Sequence, residues 1–283
     1  MYLTKEQLEK YSQHGFLLLD NVFDSIEINL IRQEMYKVVS EDCPHRILEK
    51  SGAIRSFFAP DHTNDLFYQL VRLKRLVEPS AQLIGSEIYI HQSKINMKHA
   101  MVGDWWQWHQ DYTYWRQDDG MPRPDVLTAM IYLNDVNEFN GPMLLIPGSH
   151  KAFIENNEAN ALTESKDEWF NEYQASTSYM SALTADLKYT LQKRAVAVWA
   201  KKNGICSATG PAGSVLFFHG NVFHASSKNL SPWDRHMFLV TYNSVNNPLP
   251  HMENPRPAFL ANRVAAPLDM LPDETLLKLN YPF

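Results

Sequence analysis

The apolar and polar residues of the first part of the chain recur at helical spacing. Thr4 and Gln7 form a capping box that predicts where the first helix begins, and Gly15 predicts where it ends. Asp24 and Glu27 form the same pair ahead of a second helix. The apolar residues of this second helix repeat every three or four positions: Ile28, Ile31, Met35, Val38 and Val39. Residues 1–85 are therefore predicted to form a helical N-terminal support.

Two shorter segments complete this region. The apolar run at residues 16–19 predicts a short buried strand. Residues 65–77 carry leucine and valine at helical spacing, which predicts a third helix.

From residue 87 the pattern changes to the alternation that is typical of strands. Along residues 88–96 one face begins with isoleucine and ends with Gln92, Lys94 and Asn96. A face that turns from apolar to polar favours a strand that lines a pocket. Further strands are predicted at residues 126–133, 143–146, 213–218 and 237–242.

This order of elements predicts a mainly β fold with flanking helices, a double-stranded β-helix of the jelly-roll, cupin-like barrel type. Residues 1–283 are predicted to form a single domain. Residues 151–205 interrupt the strands and are predicted to be an insertion or lid. Residues 246–257 contain four prolines and predict an extended arm that wraps the body.

Composition narrows the classes of partner. The net charge is −6 and no long basic run occurs, so we expect no nucleic-acid partner. The apolar runs are too short to span a membrane, and the first residues lack the hydrophobic core of a signal peptide. Only two cysteines are present, Cys43 and Cys206, which favours a cytoplasmic location. A homodimer is left open.

The candidate chemistry lies in His109 and Asp111. If this segment is a strand, both side chains point to one face and reach one metal ion. His224 would complete a two-histidine, one-carboxylate set, which leaves open positions on the metal as in non-haem Fe(II) oxygenases. Arg235 is a permanent, forked cation suited to holding a co-substrate carboxylate. Zinc is less favoured, because neither cysteine pairs nor an H-E-x-x-H motif occur.

Other histidines compete with this set. His91, on the pocket strand, and His150, in a turn, are interpreted as structural. His219 has the wrong strand parity to join His224. His251 opens an H-x-E triplet, but it lies in the proline-rich tail without a strand pattern.

Several blocks, taken in order, resemble the phytanoyl-CoA dioxygenase family of Fe(II)- and 2-oxoglutarate-dependent oxygenases. They are Ile-His-Gln-Ser-Lys-Ile-Asn (90–96), Trp-His-Gln-Asp-Tyr (108–112), Asn-Gly-Pro-Met-Leu-Leu-Ile-Pro-Gly-Ser-His (140–150), Ala-Thr-Gly-Pro-Ala-Gly-Ser (208–214) and Leu-Val-Thr-Tyr-Asn (239–243). Within the family, the blocks are most similar to those of ectoine hydroxylases and bacterial free-proline 4-hydroxylases. The resemblance covers most of the chain.

The resemblance implies roles for individual residues. His109, Asp111 and His224 would bind Fe(II), and Arg235 would pair with the distal carboxylate of 2-oxoglutarate. The other co-substrate positions that it implies are Asn96 and Ser226. Independently of the resemblance, Lys94 is the next candidate cation for the co-substrate carboxylate after Arg235. The implied substrate pocket contains Gln92, Trp115 and Phe218, and Arg116 or Arg123 could meet a substrate carboxylate.

The implied function is hydroxylation of an unactivated C–H bond in a small free amino or imino acid, proline-like or ectoine-like. The reaction would consume 2-oxoglutarate and O2 and give succinate and CO2. Two alternatives stay open at this stage. One is desaturation, cyclisation or a larger substrate with the same iron chemistry, and the other is a non-catalytic jelly-roll binding protein. Trp115 and Phe218 are also compatible with plain core positions.

Overall fold

The computed structural model describes residues 1–152, 163–165 and 187–278. The helices in this part are α1 (Lys5–His14), α2 (Ser25–Val39), α3 (Asp65–Leu70), α4 (Lys74–Ile84), α5 (Asp111–Asp119), α6 (Lys193–Asn203) and α7 (Thr275–Lys278). The strands are β1 (Phe16–Leu19), β2 (Arg46–Leu48), β3 (Ile54–Phe58), β4 (Ile88–Lys98), β5 (Trp106–His109), β6 (Val126–Tyr132), β7 (Met143–Leu145), β8 (Thr163–Ser165), β9 (Tyr189–Leu191), β10 (Cys206–Ala208), β11 (Val215–His219), β12 (His224–Ser226) and β13 (Arg235–Ser244).

Both predicted capping boxes are confirmed. The Gln7 amide donates to the Thr4 hydroxyl over 3.2 Å, and the Thr4 amide donates to the Gln7 side chain over 2.8 Å. Asp24 and Glu27 make the equivalent pair at the start of α2. Helix α1 ends at Gly15, whose φ of 83° lies in the left-handed region that glycine tolerates.

The predicted third helix at 65–77 is wrong in extent, because α3 ends at Leu70 and α4 begins at Lys74. The first turn of α4 takes its partners from the end of the chain. The Lys74 amide donates to the Leu271 carbonyl over 2.9 Å, and the Arg75 amide donates to the Asp273 carboxylate over 2.8 Å. A remote segment therefore satisfies the donors that α3 would have satisfied in a continuous helix.

Two antiparallel sheets form the body of the protein. The larger sheet has the order β1-β11-β6-β13-β4-β3-β2, and the smaller has the order β10-β7-β12-β5. Strands β1, β2 and β3 come from the first 85 residues and form both edges of the larger sheet. This region is therefore more than the helical support that the sequence predicts, and β2 and β3 were not predicted.

Alternation along β13 separates the two faces of the larger sheet. Phe238 lies opposite Ile95 and Ile131, and all three pack in the core beneath helices α1 to α4. Leu239 lies opposite Lys94 and Met130, and these three line a cavity on the other face. The smaller sheet covers that cavity.

The mainly β jelly-roll class is confirmed, in the form of two facing sheets. Hydrogen bonds between the described strands do not close the sheets into a barrel. Most of the predicted insertion, at 153–162 and 166–186, lies outside the described residues, so the predicted lid stays a prediction. Residues 246–257 contain neither helix nor strand. Of the described helices, none has the length and apolar character to cross a membrane.

Candidate active site

Two buried histidines lie side by side in the lining of the cavity. Strands β5 and β12 pair antiparallel with His109 directly opposite His224, and the ring centroids are 4.1 Å apart. Asp111 Oδ1 lies 3.5 Å from His109 Nε2 and 3.7 Å from His224 Nε2. The three predicted metal ligands are thus brought together by the fold.

The backbone that places Asp111 is not the predicted strand. Strand β5 ends at His109, and Asp111 is the first residue of helix α5. The Tyr112 amide donates to the Gly220 carbonyl over 2.9 Å, which holds the first turn of the helix against the loop before β12. An acidic residue suits this position, because the helix N-terminus carries partial positive charge.

The geometry of the two imidazoles suits a metal ion. Each Nδ1 donates to a backbone carbonyl two residues earlier, His109 to Gln107 over 2.6 Å and His224 to Val222 over 3.0 Å. Because a carbonyl can only accept, Nδ1 carries the proton and Nε2 keeps its lone pair. Metal–ligand bonds of about 2.0–2.2 Å bring neighbouring donors to roughly 3 Å, so the site needs only a small contraction. A two-histidine, one-carboxylate set of this kind fits Fe(II).

The charges around Asp111 reinforce this arrangement. Burial alone would raise the pKa of Asp111, but His224, His109 and Lys94 together hold that pKa well below its usual range. Burial, with a contribution from His109, lowers the pKa of His224 to about 4. The site therefore presents an ionised carboxylate and a neutral His224 at pH 7, which are the protonation states that bind a cation.

Arg235 is a buried cation without a carboxylate partner in the described part of the chain. Its exposed fraction is 5%, its Nε has no hydrogen-bond partner, and it lines the same cavity as the three ligands. Burial lowers the pKa of Arg235 to about 10, so the guanidinium stays charged at pH 7. A buried charge without a partner is costly, so this cavity is built to receive an anion.

The other predicted co-substrate residues lie in the same cavity as Arg235. Lys94, Asn96 and Ser226 all line the cavity. The Ser56 hydroxyl donates to Asn96 Oδ1 over 2.8 Å, which leaves the amide nitrogen of Asn96 as a donor. Lys98, which the sequence analysis did not single out, donates to the Ser226 hydroxyl over 2.7 Å. Lys98 lies opposite Arg235 in the β4–β13 ladder, and burial together with Arg235 holds the pKa of Lys98 well below its usual range.

Three predicted substrate residues also line the cavity. Gln92 donates through Nε2 to the Leu260 carbonyl over 2.8 Å, which leaves its Oε1 as an acceptor. Phe218 lies 5.4 Å from the His224 ring, measured between centroids. Trp115 lies on helix α5, four residues after Asp111, and is 4% exposed. Two aromatic walls and one amide therefore lie beside the metal ligands.

The structure does not bring the predicted Arg123 to the cavity. Its side chain is about half exposed and pairs with Asp125 over 2.7 Å. Arg116 is exposed on α5, because it is rotated by about 100° from the inward-facing Trp115. Besides Arg235, the arginine that lines the cavity is Arg256, which binds Asp119 through Nε at 2.8 Å and Nη2 at 2.5 Å. Its place in the proline-rich tail gave no local signal of this contact.

The chain matches known proteins over most of its length. The family model for phytanoyl-CoA dioxygenase (PhyH) matches residues 11–237. The ectoine dioxygenase of Bordetella bronchiseptica is 34% identical over 281 residues, which cover 95% of this chain and 87% of that protein. The L-proline trans-4-hydroxylase of Streptomyces griseoviridis is 34% identical over 260 residues, with 92% of each chain covered.

The chain belongs to the phytanoyl-CoA dioxygenase family. Solved structures agree with this membership. EctD from S. alaskensis with 2-oxoglutarate and 5-hydroxyectoine superposes with a TM-score of 0.78 at 26% identity, covering 95% of this chain and 88% of that one. The same enzyme with bound Fe gives 0.77. The prediction of a dioxygenase that depends on Fe(II), 2-oxoglutarate and O2 is confirmed by this family membership.

Proposed function

We propose that this dioxygenase hydroxylates a C–H bond of a small free zwitterion, with L-proline or a close relative first in line and ectoine second. One observation supports the reaction class most directly. Arg235, which is buried and has no carboxylate partner among the described residues, shares a cavity with two histidines and an aspartate whose metal-binding atoms lie within 4.8 Å of one another. When bound there, Fe(II) supplies the oxidation that couples conversion of 2-oxoglutarate to succinate and CO2 with attack on the substrate.

The residues of the chain divide the work of binding. His109, Asp111 and His224 hold the metal on the side of the smaller sheet. Arg235 offers a planar fork to the distal carboxylate of 2-oxoglutarate, and Asn96 and Ser226 donate further hydrogen bonds. Lys98 fixes the Ser226 hydroxyl, because its Nζ donates to that oxygen. Lys94 adds a second positive charge near Asp111.

Substrate recognition is proposed for the opposite part of the cavity. Trp115 and Phe218 form a compact apolar wall, and Gln92 accepts a hydrogen bond from a substrate ammonium or imino group. Asp119 occupies Nε and Nη2 of Arg256, which leaves Nη1 as a donor toward a substrate carboxylate. We therefore assign the carboxylate contact to Arg256 in place of Arg123.

Two other readings are less well supported. An acyl-CoA would need several cations for its phosphates, whereas each of the two arginines that line the cavity already has a role in this scheme. A non-catalytic binding protein would have no use for the metal set and Arg235 together, and the membership of the family speaks against it. Desaturation or cyclisation with the same cofactors differs only in its product.

Succinate release tests the proposal across a panel of substrates. The panel contains L-proline, pipecolate, other free amino acids, ectoine and an acyl-CoA, each with Fe(II) and 2-oxoglutarate, and mass spectrometry identifies the product. Coupled turnover is expected with an imino or amino acid, and a product 16 Da heavier marks hydroxylation. Coupling to the acyl-CoA alone would overturn the substrate class.

Paired variants test the carboxylate contact. Arg256→Gln is expected to raise the KM for the substrate by about tenfold or more, since a hydrogen bond to a charged group contributes about 1.5–3 kcal/mol. Arg123→Gln is the matched control and should leave KM unchanged, because this side chain is exposed and bonded to Asp125. The reverse result would return the role to Arg123.

We also propose that the enzyme is a single domain in the cytoplasm without a nucleic-acid partner. One cavity takes residues from Phe58 to Arg256, which supports a single domain. Both cysteines are free thiols, and the net charge is −6. A homodimer is the assembly to test, by size-exclusion chromatography with light scattering.

A further inference from the structure

A second group of possible metal ligands lies outside the cavity. His99, Asp234 and His236 each offer one ligand atom, and these atoms lie within 4.8 Å of one another. His99 Nδ1 is 4.0 Å from Asp234 Oδ1, and His236 Nε2 is 3.8 Å from Asp234 Oδ2. The two imidazole rings have centroids 5.3 Å apart. The spacing is slightly wider than that of the catalytic set.

The strand pair that carries Arg235 also builds this second group. Strand β4 ends at Lys98 and β13 begins at Arg235, and these two residues are directly opposite in the ladder. His99 and Asp234 are the next residues outward on the two chains, and His236 points to the face opposite Arg235. The Ala100 amide donates to Asp234 Oδ1 over 2.8 Å, which fixes the carboxylate beside the histidines.

The state of His236 points to a ligand. Its side chain is fully buried, yet neither ring nitrogen has a hydrogen-bond partner in the described part of the chain. Leaving a buried imidazole without partners is unfavourable, and protein structures seldom contain one without a compensating contact. The ring packs edge-on against Tyr36, with centroids 5.9 Å apart, so it cannot turn freely toward solvent.

We propose that His99, Asp234 and His236 form a second metal site, which binds a divalent transition metal of the Zn²⁺ class. Two imidazoles and one carboxylate are the donors that Zn²⁺ and its neighbours prefer. His99 and Asp234 are 30% and 38% exposed, so an ion can enter from solvent and keep water in its remaining positions. Nearby Arg32 and Arg235 oppose positive charge at His236, whereas Asp234 favours it. The affinity is therefore expected to be lower than at a site without neighbouring cations.

The site lies back to back with the proposed 2-oxoglutarate clamp. A metal ion held by His99 and Asp234 would tie together the ends of β4 and β13, where Arg235 lines the cavity from the other face. The inference does not depend on the proposed substrate or reaction, because its ligands are separate from the catalytic three.

Metal titration of a chain with its catalytic site removed tests the proposal. His109→Ala combined with His224→Ala leaves the second site as the remaining predicted one, with folding checked by circular dichroism. Isothermal titration with Zn²⁺, repeated with Co²⁺ for its visible absorption, is expected to give one equivalent bound. Absence of saturable binding in the folded double variant would overturn the proposal.

Further variants in the same background locate the ion. His99→Ala and Asp234→Asn are chosen because both side chains are partly exposed, and Asn keeps the oxygen that accepts from the Ala100 amide. Each is expected to weaken Zn²⁺ binding by about 100-fold or more, since losing a ligand should cost at least as much as losing its outer-shell support. His251→Ala removes an exposed histidine elsewhere and should change nothing. Equal affinity in all three variants would place the ion elsewhere and refute the assignment.

Discussion

At the scale of single residues, the site combines three clustered metal ligands with one buried cation. Asp111 lies between His109 and His224, and Lys94 adds a positive charge that favours its ionised form. Arg235 is also buried, and it has no carboxylate partner among the residues that the structure describes. The free protein therefore carries an electrostatic cost at Arg235 that an anionic co-substrate would relieve.

The metal ligands can be tested one at a time. His109→Ala, Asp111→Ala and His224→Ala are each expected to abolish succinate release, because two remaining ligands cannot hold the ion in an open facial arrangement. Circular dichroism should show an intact fold in each variant. His62→Ala, which removes an exposed histidine, is the control and should retain activity. Wild-type turnover in any of the three would remove that residue from the metal site.

The Arg235→Leu variant tests separately how Arg235 affects 2-oxoglutarate binding and how it affects protein stability. The KM for 2-oxoglutarate is expected to rise about 10- to 100-fold, because a charge-assisted hydrogen bond contributes about 1.5–3 kcal/mol. Arg235→Lys should recover only part of this, since an ammonium cannot reproduce the fork. In the absence of ligands, the free energy of unfolding of Arg235→Leu should equal or exceed that of the wild type, because a buried unpaired charge is removed.

Arg55→Leu is the matched control for this stability effect. Arg55 is 1% exposed, but it donates to Glu49 over 2.8 Å and to the Trp105 carbonyl over 3.0 Å. Breaking that buried pair is expected to cost about 3–5 kcal/mol, measured by denaturant unfolding. An Arg235→Leu variant destabilised as much as Arg55→Leu would mean that Arg235 has a structural partner. If the KM of Arg235→Leu for 2-oxoglutarate is unchanged, another cation holds the co-substrate carboxylate, and Lys94 is the next candidate.

At the scale of elements, one glycine allows the loop before α2 to pack closely against the turn before β11. Gly213 has a φ of 89°, and a Cβ there would lie 2.2 Å from the Phe23 carbonyl oxygen. Its own carbonyl accepts from the amides of Val22 and Phe23 over 3.0 Å. The turn before β11, which carries Phe218, is thus joined to the loop before α2.

Gly213→Ala should therefore destabilise the protein by more than backbone strain alone. The left-handed conformation costs an L-residue about 1–2 kcal/mol, and the contact with the Phe23 backbone adds to it. Gly85→Ala is the control, since its φ is 80° but a Cβ there meets nothing within 4 Å. Urea unfolding should show the larger loss for Gly213→Ala. Equal losses would mean that the Phe23 loop moves aside without cost.

Features of the fold that depend on neighbouring residues could be predicted from the sequence, whereas features that depend on contacts between distant residues could not. Capping boxes depend on residues three apart, so Thr4 and Asp24 marked their helices correctly. The break between α3 and α4 depends on Leu271 and Asp273, which are distant in sequence. Strands β2 and β3 are short and contain Arg46 and Arg55, so they lack a strong apolar alternation.

The candidate site shows the same division. Order and residue type indicated His109, Asp111 and His224, but placing Asp111 on a strand was wrong, because an H-x-D triplet does not reveal where a strand ends. The sequence could not indicate Arg256 as a cavity residue, because its contact with Asp119 joins a segment without helix or strand to the end of helix α5. The sequence alone is compatible with Arg123 as a pocket residue. In the structure its side chain is exposed, pairs with Asp125 and does not line the cavity.

At the scale of the whole molecule, the residues that line the cavity come from both sheets. His109 and His224 lie on the smaller sheet, whereas Arg235, Lys94 and Asn96 lie on the larger. The described strands of the two sheets share no hydrogen-bonded ladder. In the proposed complex, 2-oxoglutarate would reach from the metal on one sheet to the guanidinium on the other, and so would connect them.

This division predicts how protection against hydrogen exchange spreads on binding. Fe(II) alone, added without oxygen, should protect β5 and β12, because its ligands lie there and on α5. Adding 2-oxoglutarate should extend protection to the ends of β4 and β13, since a ligand that binds the native state raises the free energy of opening by about 2.7 kcal/mol at one hundred times its Kd. In Arg235→Leu the first effect should remain and the second should be lost. If 2-oxoglutarate still protects β4 and β13 in Arg235→Leu, the two sheets are connected through another residue. If protection in the wild type stays confined to the smaller sheet, the co-substrate binds away from Arg235.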